Sequence, residues 1–81
     1  PRYIYQKDSS YYFSRHVPND VRHHYSWDRI VICLKTSSEY PAINASRSIA
    51  GKLDDYWMKL RLSEMTVPAA HLLVNGNNLF T

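Results

Sequence analysis

Cysteine occurs once in these 81 residues, at Cys33, so no internal disulfide framework holds the chain together. Glycine is nearly as scarce, with only Gly51 and Gly76, too isolated to form a loop that cradles phosphate. No apolar run approaches the roughly 20 residues that cross a bilayer as a helix, and no secretory leader opens the sequence. Paired carboxylates and a nucleophile–base pair are missing too, which argues against a small standalone enzyme and against any cofactor. Seven tyrosines are present, yet no H-x-x-R element accompanies them, so packing explains them better than nucleophilic catalysis. These absences describe a soluble cytoplasmic domain with no membrane partner. The sequence begins at Pro1 without a methionine, so it is expected to be cut from a longer protein.

What is present suffices for one small folded domain. Hydrophobic residues make up 44% and charged residues 21% of the chain. A domain of this size buries roughly 60% of the surface its unfolded chain exposes and is stable by about 5 kcal/mol. The net charge is +3, and it is unevenly placed. Residues 1–37 hold Arg2, Lys7, Arg15, Arg22, Arg29 and Lys35 against Asp8, Asp20 and Asp28, whereas cations and carboxylates balance over residues 38–64. His16, His23 and His24 also fall in the basic half. Such asymmetry suits a polyanionic partner.

Residues 2–6 (RYIYQ) and 11–17 (YYFSRHV) are rich in aromatic and β-branched side chains and flank a turn-like KDSS, which predicts a hairpin. Pro18 has no N–H to donate and ends the second strand; PNDVRHHY then reads as a helical turn with proline in its first position. Residues 28–36 (DRIVICLKT) alternate and predict a third strand. From Ser38, a good N-cap residue, the period becomes helical, and Pro41 falls within the first turn, where N–H groups lack intrahelical acceptors. Ala42, Ala45, Ile49, Leu53, Tyr56, Trp57 and Leu60 form one apolar stripe about 120° wide, and Asp55 stands four residues before Lys59 in the favourable order for an ion pair. Gly51 lies opposite the stripe, where it weakens the helix by about 1 kcal/mol relative to alanine. The predicted fold is α+β, with a three-stranded antiparallel β-sheet packed on one long C-terminal α-helix and a short helical turn between the second and third strands. Residues 1–64 form this domain; residues 65–81, with Pro68 and a turn at Asn75–Asn78, look like a linker or the start of a following domain.

One helix covers one sheet face. Alternation places Phe13, Val17, Ile30, Ile32 and Leu34 beneath it, with Tyr11 beside them, and leaves Tyr12, Ser14, His16, Arg29, Val31, Cys33 and Lys35 on the open face. A cationic, aromatic and hydrogen-bonding ribbon of this kind is narrow enough for a DNA major groove. The candidate DNA-binding residues are Tyr12, Ser14, His16, Arg29, Val31 and Lys35.

The same stretch resembles the N-terminal domain of phage-integrase-type tyrosine recombinases. The residues that carry the resemblance are Tyr11, Tyr12, Phe13, Arg15, Val17, Pro18, Asp20 and Val21, then Cys33, Leu34 and Thr36, within about residues 3–60. The resemblance implies a module that binds double-stranded arm-type DNA sites through its three-stranded sheet, in a bacterial, nucleoid-associated enzyme whose catalytic domain lies elsewhere. Other recombinase protomers and accessory DNA-bending factors are the further partners it implies. Where relatives carry three consecutive basic residues this chain has Ser14, Arg15 and His16, so a shallow salt dependence is expected. The competing class is a protein-interaction module that docks through the open face or the strand edges.

Other residues have structural explanations. Arg15 is in phase with Phe13 and Val17, so it is expected at the sheet edge or paired with Asp20. His23 and His24 are adjacent and, with one distant cysteine, show no zinc-ligand spacing. Asn44-Ala45-Ser46 matches a glycosylation sequon but lies inside the helix, and Cys33 is expected to be a small filler.

Overall fold

A computed structural model describes residues 2–65. The order of elements is β1 (Ile4–Lys7), β2 (Ser10–His16), a short 3-10 helix (Asn19–His24), β3 (Arg29–Cys33) and α1 (Glu39–Ser63). The three strands form one antiparallel sheet in the order β1-β2-β3, so the α+β architecture anticipated from periodicity is the one observed. The assignment of residues 65–81 to a linker lies outside the described residues, apart from Met65.

The hairpin closes in two residues. Lys7 pairs with Ser10, and Asp8 and Ser9 take φ of 51° and 68°. Two successive positive φ values match the right-handed twist of the strands, a conformation that Asn-Gly adopts more cheaply. Pairing continues past the strand ends: the Ser14 N–H donates to the Tyr3 carbonyl at 2.7 Å, and the Val17 N–H donates to the Asp28 carbonyl at 2.8 Å.

β3 is shorter than expected. Tyr11 accepts from the Leu34 N–H at 3.0 Å and donates to the Thr36 carbonyl at 2.9 Å, so one residue of β2 spans the segment that contains Lys35. Lys35 itself has φ 55°. This is bulge geometry, in which an extra residue with left-handed backbone ends regular alternation.

α1 packs against β1, β2 and the 3-10 helix. Phe13, Val17, Val21, Ala42 and Trp57 are buried, and Tyr25, Ile30, Leu53 and Leu60 close around the Val17–Val21–Trp57 cluster. The Trp57 indole N–H donates to the Tyr25 hydroxyl at 2.9 Å, which lets a large aromatic be buried with its polar atom paired. One stripe residue, Tyr56, is 50% exposed, while Ser46, not counted in the stripe, is buried with its hydroxyl donating to the Arg2 carbonyl at 3.1 Å. Ile32, expected beneath α1, is 39% exposed, because α1 lies over β1 and β2 and leaves β3 at the margin.

Helix ends and connections depart in smaller ways. Ser38 is the N-cap residue but its hydroxyl caps nothing; its N–H donates to Thr36 Oγ1 at 3.1 Å. Pro18 caps the 3-10 helix from outside and is not its first residue. Arg15 pairs with Asp54 on α1 and not with Asp20, whose carboxylate is held by Arg61. No ion pair joins Asp55 to Lys59 among the described residues.

Candidate nucleic-acid interface

Residues directly opposite one another in antiparallel strands share a face. Tyr12 is opposite Tyr5 and Cys33, Ser14 is opposite Val31, and His16 is opposite Arg29. Five of the six expected contact residues, Tyr12, Ser14, His16, Arg29 and Val31, therefore stand together on the side away from Phe13. The sixth, Lys35, is exposed but lies past the end of β3 in left-handed backbone, so alternation no longer assigns it to this face.

The face is solvent-facing along much of its length. His16, Arg29, Val31 and Cys33 are exposed, and Tyr12 and Ser14 are half-buried by their neighbours. The Arg29 guanidinium donates to Ser14 Oγ at 2.8 Å, which ties the two side chains together on the face. Tyr5 and Tyr12 stack with ring centroids 5.4 Å apart and planes 14° from parallel. The Tyr12 phenol is pushed above its ordinary pKa, chiefly by the neighbouring Cys33 thiol and further by partial desolvation. At neutral pH it is therefore an uncharged O–H donor.

Sequence reasoning missed two members of the face. Tyr5 and Lys7 join it because Tyr5 pairs with Tyr12 and Lys7 with Ser10. Counting outward from a two-residue turn at Asp8-Ser9 would have found both, since hairpin register follows from turn length. None of the strand residues is acidic, so the cations of the face have no strand carboxylate to neutralise them.

On the opposite side, a groove of about 520 Å³ between the chain start and α1 is lined by Arg2, Tyr3, Arg15, Arg47, Gly51 and Asp54. Arg15 is sandwiched there between the rings of Tyr3 and Trp57, with its guanidinium carbon 4.7 and 4.6 Å from their centroids. It donates to the Ala50 carbonyl at 3.1 Å and to Asp54 Oδ1 at 2.7 Å. Its charge is spent internally, which makes it a packing residue.

His23 and His24 end the 3-10 helix and meet Glu64, the C-cap residue of α1. Both imidazole Nε2 atoms bond Glu64 Oε2, that of His24 at 3.1 Å. No helix among the described residues is long and apolar enough to cross a membrane.

The family model described as Domain of unknown function (DUF6538) matches residues 3–62, which covers all three strands and nearly all of α1. No curated protein and no solved structure matches the chain.

Proposed function

We propose that this chain, which belongs to the DUF6538 family, binds double-stranded DNA by laying the open face of its sheet in the major groove. The observation that carries the reading is a three-stranded face bearing Lys7, His16 and Arg29, with no strand carboxylate and no covering element among the described residues. Two strand spacings make the ribbon about 10 Å wide between outer backbones, against a major groove about 12 Å wide. Arg29 is the candidate for a guanine edge, Tyr12 and Ser14 supply hydroxyl donors, and Val31 offers apolar contact to a thymine methyl. Lys7 and Lys35, on the hairpin and the bulge, are the phosphate contacts that set register.

The wider reading is an N-terminal module of a phage-type integrase, in which the module positions a catalytic domain on its recombination site. Its support is the resemblance through Tyr11–Phe13, Val17-Pro18, Asp20 and Leu34-x-Thr36. Bacterial nucleoid association, contacts with other recombinase protomers and the presence of accessory DNA-bending factors belong to the same proposal.

Duplex binding followed by fluorescence anisotropy tests it. Arg29→Ala is expected to weaken binding by about 1–3 kcal/mol and to relax sequence preference, because a bidentate base contact is lost. The protein-interaction reading has an observation of its own: Trp27 and Val31, at 78% and 54% exposure, sit on or beside β3, an edge strand. If Arg29→Ala with Lys35→Ala leaves DNA binding unchanged while self-association falls, that second reading replaces the first.

A further inference from the structure

We propose that His23, His24 and Glu64 form a transition-metal site, with Zn²⁺ as the fitting ion. One ring nitrogen of His23, one of His24 and one Glu64 carboxylate oxygen all lie within 4.8 Å of one another. Tetrahedral ligands at 2.0–2.1 Å from zinc stand about 3.3 Å apart, so small side-chain rotations bring the three into a coordination sphere. Two imidazoles and one carboxylate are the donor set of open zinc sites, which leave a position for water, whereas magnesium and calcium require oxygen-rich shells.

The surroundings favour a cation. Glu64 caps the C-terminal end of α1, where the last carbonyls carry the negative end of the helix dipole. The nearby Arg61 guanidinium is engaged by Asp20 and does not compete for Glu64. His23 is 60%, His24 32% and Glu64 36% exposed, so a metal reaches them from solvent without unfolding.

The sequence conceals the site because its third ligand is 40 residues from His24 and reaches it only when α1 packs on the 3-10 helix. A bound ion would tie that helix to the end of α1, beside the Val21–Trp57 core. The site therefore serves as a clamp on domain geometry, independent of the sheet face.

The untagged chain titrated with ZnCl₂ at neutral pH tests this. Calorimetry should give one site per chain, and the melting temperature should rise by roughly 10–20 °C at a hundredfold excess over Kd. His24→Ala and Glu64→Gln should each weaken binding at least about tenfold, the lower bound for losing even an outer partner of a metal ligand. Cys33→Ser should leave it unchanged. In the unaltered protein, the imidazole nitrogen resonances of His23 and His24 should move on zinc addition, a readout that depends on no variant. Absence of binding heat and resonance shifts, undiminished affinity in Glu64→Gln, loss of binding in Cys33→Ser, or an equal response to MgCl₂ would each overturn the proposal.

Discussion

Arg15 shows how one residue changes meaning once it is placed. Its alternation with Phe13 and Val17 is visible in the sequence, yet it sits on the central strand and not at the sheet edge, and its partner is Asp54 and not Asp20. The reason is tertiary: which turn of α1 crosses β2 depends on how Trp57 seats in the core, and no local pattern encodes that. The guanidinium is planar, stacked between two rings and forked to two acceptors, so lysine cannot replace it. Arg15→Lys is expected to cost about 1–2 kcal/mol in chemical denaturation through the lost stacking, with duplex affinity unchanged in the folded protein. Asp20 gives a second prediction at this scale. The hydrogen bond from Arg61 holds its carboxyl below the ordinary value. A depressed folded-state pKa means stability that is present above the unfolded value, near about 3.9, and is lost as pH falls through the folded one. Asp20→Asn should therefore lower Tm at pH 7 and converge with the parent at the acid end of a Tm–pH series.

At the scale of elements, the period-2 and period-3.6 patterns revealed the strands and the helix, because each buries one face. Ser46 was left out of the helical stripe because a buried serine needs a partner, here the Arg2 carbonyl, that only tertiary packing supplies. Strand ends were less legible. Lys35 lost its place on the sheet because it adopts a left-handed backbone that lysine rarely favours, and only the Tyr11 hydrogen bonds reveal the bulge. Two element-scale changes follow. A β-carbon added at Gly51 would meet no atom within 4 Å, so the helix gains propensity with no clash. Gly51→Ala should stabilise the domain by about 0.5–1 kcal/mol, read as a higher denaturant midpoint at unchanged slope. Replacing Asp8-Ser9 with Asn-Gly should likewise stabilise the hairpin, since both positions already have positive φ.

At the scale of the whole molecule, charge is partitioned by the fold. Around α1 and the turn that follows, Arg61 holds Asp20, Asp54 holds Arg15 and Glu64 holds two histidines, while Arg47, Lys52 and Lys59 stay outside any ion pair among the described residues. The open sheet face keeps Lys7 and Arg29, and the bulge past β3 keeps Lys35, outside any ion pair among the described residues. Linear charge counting detected the basic half of the chain but not this division, because Arg15 contributes to the count and is consumed inside. If Lys7 and Lys35 each neutralise one phosphate and release its counterion, while Arg29 reads a base edge, log K should fall with log salt at a slope of about −1.8. Lys35→Ala should bring the slope to about −0.9 and weaken binding evenly across sequences, whereas Arg15→Lys should leave it where it was. The bulge makes the Lys35 measurement decisive for geometry. An unchanged slope in that variant would mean that the left-handed turn carries Lys35 away from the duplex, and the phosphate contact on the hairpin would then be that of Lys7 alone.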